Sequence, residues 1–358
     1  MKANRLHNLD YLRGLCAIGI MSYHYTGYAY QVHLSPDDFI QKIGIYGVSI
    51  FYVLSGLTLY HVYSPTLRPD GVNLPDFFIK RAFRIMPLLW ALILINLCLR
   101  EWPGTRMLVL NLTGLFSILA PDEYFVTGLW SIGNELSFYL LFPVLMVLLK
   151  RSIPLLLALS LVVLGFYSYY AFYVFPGFDD FNKGVWEHYV NPLNQAFLFL
   201  SGFLCGVLMK DREVKTEIML CVLLLALGMF AFFPVQGGGV LPLMTGGVRM
   251  LYTVLAILIC LAAYKGTYQL PSFLDKPLRL LGEISYSVYL LHPVVWMVLQ
   301  YVSSIYTLPV SVRLVLSVVG TLTISYFSFR YFEQYFIRLG RKFSASLPKT
   351  VAANRKVA

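Results

Sequence analysis

The chain has 358 residues, of which 58% are hydrophobic and 13% are charged, and its mean hydropathy is +0.68. A soluble domain has about a quarter of its residues charged, so this composition excludes a soluble globular protein and predicts an all-α polytopic membrane protein. The net charge of +10 does not indicate a nucleic-acid partner, because no basic stretch is interleaved with exposed aromatic residues in a soluble fold.

Ten segments are apolar over the roughly 20 residues that a helix needs to cross about 30 Å of hydrocarbon. No cleavable signal pattern precedes the first segment, so we expect it to remain as a membrane helix. A further apolar piece, residues 105 to 121, is too short to span comfortably, which predicts a re-entrant or interfacial segment. The predicted spans are residues 8 to 27, 43 to 62, 82 to 99, 129 to 149, 153 to 173, 192 to 209, 217 to 233, 248 to 264, 280 to 299 and 311 to 331.

The distribution of Lys and Arg predicts the orientation. With both termini in the cytoplasm, 22 of the 28 basic residues fall on the inner side. If residues 105 to 121 crossed the membrane, Lys150 and Arg151 would face outward, against this bias. We therefore expect a multi-pass protein of the inner (plasma) membrane, with a membrane domain over residues 1 to 340 and a basic cytoplasmic tail over residues 341 to 358.

The first span contains two ionisable residues, Arg13 and His24, in an otherwise apolar segment. A separation of eleven residues, at about 100° and 1.5 Å each, is almost three helical turns, so both side chains share one face roughly 16 Å apart. An ionisable group inside the membrane costs several kcal/mol without a partner and is therefore a functional candidate. The alternative is a polar residue that only holds two helices together.

Three cations, Lys80, Arg81 and Arg84, lie where the third span begins. Arg81 and Arg84 are three residues apart and share a helix face. Guanidinium groups bind phosphate bidentately, so this cluster suits a phosphorylated cytoplasmic cofactor. On position alone, lipid headgroup binding or a simple marker of the inner boundary is favoured.

Two further ionisable residues lie inside predicted spans. Glu135 is about one and a half turns into the fourth span, where a carboxylate needs a partner; His24, Arg106 or a substrate hydroxyl are the candidates. His292 precedes Pro293, which predicts an interrupted helix. Either the histidine lines a cavity beside the freed carbonyl groups, or it caps the interruption.

Other residue types favour a structural role. Gly47, Ser55 and Gly56 in the second span would allow another helix to pack closely. The five cysteines all lie within or at the end of apolar segments, so they indicate neither a disulfide framework nor a metal site.

Taken together and in chain order, these motifs resemble the acyltransferase-3 family of integral membrane acyltransferases, whose members O-acylate bacterial cell-surface and exported glycans. The resemblance implies acetyl-CoA or another acyl-CoA as the cytoplasmic donor, a glycan or lipid-linked oligosaccharide as the acceptor, functionally essential Arg13 and His24, and a cationic cluster near the cofactor phosphates. The residues that carry it are 9 to 14 with His24, 47 to 56, 80 to 87, 129 to 139, 284 to 293, and Glu333.

The chain departs from the family pattern in two places. The usual double acid after the Trp-Ser pair is Asn134-Glu135 here, so only Glu135 is carried over. Many relatives also contain an extracytoplasmic SGNH-type hydrolase-like domain, whereas this sequence ends soon after its tenth predicted span. A separate transfer step is therefore expected to need another protein, and the sequence leaves open a homo-oligomer or a complex with glycan-assembly proteins.

The chemistry can also be argued from the residues. A thioester inside and a sugar hydroxyl outside require the acyl group to cross the bilayer. A histidine near the midplane could act as general base or as a transient acyl carrier, and Arg13 could orient the cofactor or balance charge. We expect the acyl group to pass through a continuous cavity lined by Arg13, His24, Glu135 and His292.

Two other classes of function remain open at this stage. A proton-coupled transporter also uses intramembrane His, Glu and Arg, although the matching inverted halves of such a protein are not visible in the sequence. A structural membrane protein would use the polar residues only to hold helices together.

Overall fold

The computed structural model describes residues 6–31, 34–66 and 74–346. Within these ranges the chain is helical and contains no β-strand, as the composition predicts. Two π-helical segments, Tyr170–Val174 and Ser328–Glu333, continue the helices that precede them. The α-helices are α1 (His7–Tyr30), α2 (Phe39–Tyr63), α3 (Leu74–Leu99), α4 (Thr105–Thr113), α5 (Phe116–Leu119), α6 (Leu129–Arg151), α7 (Ile153–Tyr169), α8 (Lys183–Tyr189), α9 (Pro192–Met209), α10 (Thr216–Phe232), α11 (Gly246–Lys265), α12 (Ser272–Tyr306), α13 (Val310–Phe327) and α14 (Gln334–Ser346).

Eight helical segments in the described ranges are long and apolar enough to cross a membrane, which confirms a multi-pass membrane protein. The first and seventh predicted spans form helices α1 and α10 but do not belong to this set; α10 has only 17 residues. The total of ten spans and the orientation of the termini stay predictions. The eight segments are Phe39–Tyr63, Leu74–Leu99, Leu129–Arg151, Ile153–Gly177, Lys183–Met209, Gly246–Lys265, Ser272–Tyr306 and Val310–Ser346.

Residues 105 to 121 form the two short helices α4 and α5. Gly114 joins them with a φ of +75°, a conformation that favours glycine. At about 1.5 Å per residue the longer helix is roughly 14 Å long, less than half the hydrocarbon thickness. Trp90 on α3 donates a hydrogen bond to the carbonyl oxygen of Leu112 at 2.8 Å. The segment therefore packs against the bundle and is too short to cross it.

Helices α1 and α12 run parallel in close contact. A Cβ atom added to Gly282 would lie 2.2 Å from the carbonyl oxygen of Asp10, and one added to Gly14 would lie 2.8 Å from the nitrogen of Gly282. Only glycine permits this approach. Because the two helices then advance together, His24 and His292 arrive at the same level of the bundle.

Helix α2 packs against α9 by the same means. A Cβ atom on Gly56 would lie 2.0 Å from the carbonyl oxygen of Phe199, and one on Gly202 would lie 1.9 Å from that of Val53. Close packing at Gly56 is thus confirmed. Ser55, the serine of the predicted group of small residues, instead lines a cavity.

The predicted interruption of the ninth span at Pro293 is wrong, because α12 continues through this residue to Tyr306. Proline removes one backbone donor, the one that would bond the carbonyl oxygen of Tyr289 four residues earlier, without ending the helix. Nδ1 of His292 lies 3.0 Å from the carbonyl oxygen of Val288, and the hydroxyl of Tyr25 donates to the carbonyl oxygen of His292 at 3.0 Å.

Helix α14 packs along α3, the helix that carries the cationic cluster. Ser344 donates a hydrogen bond to Asp76, and a Cβ atom on Gly340 would lie 2.5 Å from Cβ of Phe83. The predicted domain boundary at 340 falls inside this helix, and the division there stays a prediction. The remainder of the predicted tail, residues 347–358, lies outside the described ranges, as do the predicted inner-side residues within 1–5 and 67–73.

Candidate functional site

A cavity of about 250 Å³ lies between α1, α2, α3, α6 and α12. We call it the arginine cavity, after Arg13, Arg81 and Arg84, which all line it. Its walls also contain one carboxylate and several hydroxyls. The other polar lining residues are Tyr52, Ser55, Thr58, Ser131, Glu135, Tyr139, Ser285, Tyr286 and Tyr289.

Arg13 is held by residues of two helices. Its Nη2 donates a hydrogen bond to Oγ1 of Thr58 on α2 at 2.9 Å, and its Nη1 lies 3.7 Å from Oδ1 of Asp10, one turn earlier on α1. Thr58 in turn donates to the carbonyl oxygen of Leu54 at 2.6 Å. The guanidinium is therefore fixed in direction while 26% of the side chain stays exposed.

Glu135 has two hydroxyl partners. Ser55 donates to its Oε1 at 3.3 Å, and the hydroxyl of Tyr139 donates to the same oxygen. The predicted partner Arg106 is wrong: it lies on α4 and forms an ion pair with Glu123, where its hydrogen bonds hold the pKa of that carboxyl below its usual value.

Arg81 is half-buried between two tyrosines. Its Nη2 lies 3.5 Å from the hydroxyl of Tyr63, and its guanidinium carbon is 5.8 Å from the ring centre of Tyr63 and 5.8 Å from that of Tyr139. Its Nε is buried and has no hydrogen-bond partner among the described residues. An unpaired buried donor costs free energy, so this atom indicates a place for a ligand acceptor.

The structure divides the predicted cationic cluster. Arg81 and Arg84 both line the arginine cavity. Lys80 does not, and its Nζ instead forms an ion pair with Asp76 at 2.7 Å. One face of α3 thus presents two arginines to the cavity, as their spacing predicts, while the lysine is directed elsewhere.

His24 and His292 form a pair. Nδ1 of His24 lies 2.8 Å from Nε2 of His292, and the two rings are stacked with centres 5.0 Å apart. Since the carbonyl oxygen of Val288 can only accept, Nδ1 of His292 carries a hydrogen, and in the neutral ring Nε2 is an acceptor. His24 therefore donates from Nδ1, which leaves its Nε2 with a free lone pair.

A second cavity, of about 390 Å³, begins beside this pair. We call it the tryptophan cavity. Tyr28, whose ring stacks on that of His24 at 5.7 Å, belongs to its wall, as does Pro293, the residue after His292. Its lining residues are Gly27, Tyr28, Gln31, Arg100, Thr127, Pro293, Trp296, Met297 and Gln300.

The predicted continuous passage stays a prediction: neither His24 nor His292 is among the residues that line these two cavities. The order along α12 runs from Ser285 and Tyr289 in the arginine cavity, through His292, to Trp296 in the tryptophan cavity. Aromatic rings lie between the cavities: the ring centre of Tyr289 is 6.1 Å from that of His292 and 6.2 Å from that of Phe51. The histidine pair thus separates two cavities.

Several hydroxyl residues of the site were not anticipated from the sequence. Two of them, Ser55 and Thr58, are one turn apart on α2. On α6, Ser131 and Tyr139 lie four residues before and after Glu135. This spacing places each group on one helix face. Polar residues at helical spacing inside apolar spans were the available signal.

These features define a class: an all-α membrane protein with a basic cavity, a half-buried carboxylate and an intramembrane histidine pair. The chain belongs to the acyltransferase-3 family, whose acyltransferase domain matches residues 6–330. The resemblance inferred from the motifs is therefore confirmed.

Curated relatives carry a more specific description. The peptidoglycan O-acetyltransferase OatA of Listeria monocytogenes is 25% identical over 361 residues, covering 91% of this chain and 55% of that protein. The O-acetyltransferase OatA of Staphylococcus aureus is 24% identical, covering 96% and 59%, and the putative peptidoglycan O-acetyltransferase YrhL of Bacillus subtilis is 23% identical, covering 91% and 54%. The chain thus spans little more than half the length of these relatives. No solved structure matches it.

Proposed function

We propose that this protein is a membrane O-acyltransferase that moves an acyl group, acetyl in the first instance, from cytoplasmic acyl-CoA to a hydroxyl of an exported or lipid-linked glycan. The observation that carries the proposal is the histidine pair between two cavities, one rich in arginine and one rich in aromatic and amide groups. The names of the relatives make peptidoglycan the first acceptor to test.

The arginine cavity suits the phosphate-bearing part of the donor. Arg81 and Arg84 share one helix face, and the buried Nε of Arg81 needs an acceptor. The cavity volume of about 250 Å³ is below the range of about 300–1,000 Å³ usual for ligand pockets. It would therefore hold only part of the long donor, and the acyl end would extend past Phe51 and Tyr289 towards His24.

We propose different tasks for Arg13 and His24, because the two residues lie far apart along α1. Eleven residues of helix separate them by roughly 16 Å, and the guanidinium of Arg13 is held by Thr58 and by Asp10, which lies one turn further from His24. Arg13 would instead hold the donor, and Glu135 would offset part of the positive charge of the three arginines. We therefore propose that the acyl-transfer step belongs to the histidine pair.

His24 would act as the general base. Its free Nε2 takes the proton of the acceptor hydroxyl, the hydroxyl oxygen bonds to the thioester carbonyl carbon, and the C–S bond breaks to release the thiolate, which takes the proton back. While His24 is protonated at Nε2, its Nδ1–H still donates to Nε2 of His292. His292 thereby fixes the tautomer of His24 and stabilises its positive charge. In the alternative route, Nε2 attacks the thioester carbonyl carbon with the same lone pair and the C–S bond breaks to release the thiolate. The glycan hydroxyl then displaces the histidine from the transient acyl-histidine, and its proton passes to the thiolate.

Mass spectrometry of envelope glycans tests the proposal. Glycans from cells with the intact gene, without it, and with a His24→Ala variant would be compared. We expect one ester group of acetyl mass that is present with the wild type and absent in the other two samples. Identical glycans in all three samples would contradict the proposed function.

A further inference from the structure

We propose that the tryptophan cavity is the acceptor site and binds one pyranose ring of the glycan. This inference rests on the proposed function and assigns its acceptor to named residues. The cavity volume of about 390 Å³ falls within the range of ligand pockets.

The cavity combines an aromatic wall with an amide-bearing rim. Trp296 is buried: its ring centre lies 5.4 Å from that of Tyr25, 5.8 Å from that of Tyr28 and 4.9 Å from the guanidinium carbon of Arg313, so it supports the wall from behind. The accessible aromatic residue of the wall is the half-buried Tyr28, and an aromatic ring packs well against the C–H groups on the face of a pyranose. A lipid tail would need no polar groups around such a wall, but this cavity has them.

Gln31, Gln300 and Arg100 supply these polar groups, and all three are exposed. Each glutamine has both a donor and an acceptor, which suits the hydroxyls and N-acetyl group of an amino sugar. Within the described residues neither glutamine side chain forms a hydrogen bond. Arg100 has one weak contact, from Nη1 to the carbonyl oxygen of Phe125 at 3.5 Å, and can serve an acidic substituent.

The cavity also lies where the chemistry requires an acceptor. Tyr28 contacts His24, Pro293 follows His292, and Trp296 is one turn further along α12. A sugar against this wall would bring a hydroxyl to the histidine pair from the side opposite the arginine cavity. Its O–H proton would then pass to His24 as its oxygen bonds to the acyl carbon.

Steady-state kinetics of the full-length protein in proteoliposomes test this assignment. The probe is acetyl-CoA as donor with soluble glycan fragments from the source cells as acceptor. We expect Gln300→Ala and Gln31→Ala each to raise KM for the glycan about five- to tenfold, the effect of one lost hydrogen bond, with KM for acetyl-CoA within twofold of wild type. Trp296→Leu, which removes the support behind the wall, should also raise KM for the glycan.

Tyr301→Ala is the matched control, because Tyr301 neighbours Gln300 on α12, is exposed and does not line the cavity. It should leave both KM values unchanged. An unchanged glycan KM in the two glutamine variants, or an equal rise in the control, would overturn the assignment. Wild-type protein that releases no CoA thiol from acetyl-CoA, with or without glycan, would instead refute the proposed function itself.

Discussion

Nδ1 of His24 and Nε2 of His292 lie 2.8 Å apart although 268 residues separate them in the chain. The carbonyl oxygen of Val288 fixes the tautomer of the second ring, and that ring fixes the tautomer of the first. The pair therefore presents a single free lone pair, on Nε2 of His24, at the boundary between the two cavities.

The first prediction concerns how His292 acts. Glutamine can place an acceptor oxygen near the position of Nε2, so His292→Gln should keep the hydrogen bond from His24 and retain measurable activity. His292→Leu removes the acceptor and should lower kcat about a hundredfold or more, within the range of acid–base catalysis. Turnover of acetyl-CoA by the purified variants measures this difference.

A role in folding alone would give a different pattern. Both variants would then lose thermal stability and activity in parallel, and the slope of rate against pH would not change. We expect instead that the melting temperatures of both variants stay close to wild type. His292→Gln, the variant that stays active, should show a shifted pH profile. Equal activity in His292→Leu and wild type would remove the residue from the mechanism.

The second prediction concerns donor binding. Replacing Arg81 and Arg84 together by glutamine should raise the apparent KM for acetyl-CoA at least tenfold, because two phosphate-binding groups are lost, with a smaller change in kcat. Arg151→Gln is the matched control, since Arg151 is an exposed arginine that does not line the arginine cavity. A donor KM that stays the same in the double variant would mean that these arginines only mark the membrane boundary.

The third prediction concerns charge balance in the arginine cavity. Glu135→Gln keeps an oxygen that can accept from Ser55 and Tyr139 but removes the negative charge, which leaves Arg13 with less compensation. We expect kcat/KM for acetyl-CoA to fall about tenfold, and Glu135→Leu to fall further. Glu123→Gln, which changes a carboxylate outside the cavity, should have no comparable effect. Wild-type kinetics in Glu135→Gln would show that the charge is dispensable.

The fourth prediction concerns the contact that aligns α1 with α12. Gly282→Ala places a Cβ atom 2.2 Å from the carbonyl oxygen of Asp10, so the helices must separate. We expect a destabilisation of about 1–3 kcal/mol, measured as a lower melting temperature in detergent, together with loss of activity as the histidines move apart. Gly228→Ala is the control, because a Cβ there meets no atom within 4 Å. Equal stability of the two variants would contradict this account of the packing.

The sequence predicts much of this architecture, because the length of an apolar segment and the spacing of its charged residues are properties of the segment itself. Helical spacing correctly placed Arg81 and Arg84 on one face of α3, and the small residue Gly56 correctly indicated a close helix contact. The pairing of His24 with His292 could not be predicted, since it depends on which helices become neighbours.

The partners of Glu135 illustrate the same limit. Arg106 lies close enough in sequence and has the right charge, but α4 directs it to Glu123 instead. Two hydroxyls replace it, one from α2 and one from the next turn of α6. Hydroxyl groups are common in membrane helices, so the sequence alone does not single out Ser55 and Tyr139.

The most direct test of the central claim is transfer of a labelled acetyl group across a membrane. Wild-type protein and the His24→Ala variant would be reconstituted in proteoliposomes, with labelled acetyl-CoA on the side of the arginine cavity and glycan on the side of the tryptophan cavity. The account predicts labelled acetyl ester on the glycan with the wild type, and a loss of at least a hundredfold with an equally well folded variant. Equal labelling by both proteins, or transport of a solute without any use of acetyl-CoA, would contradict it.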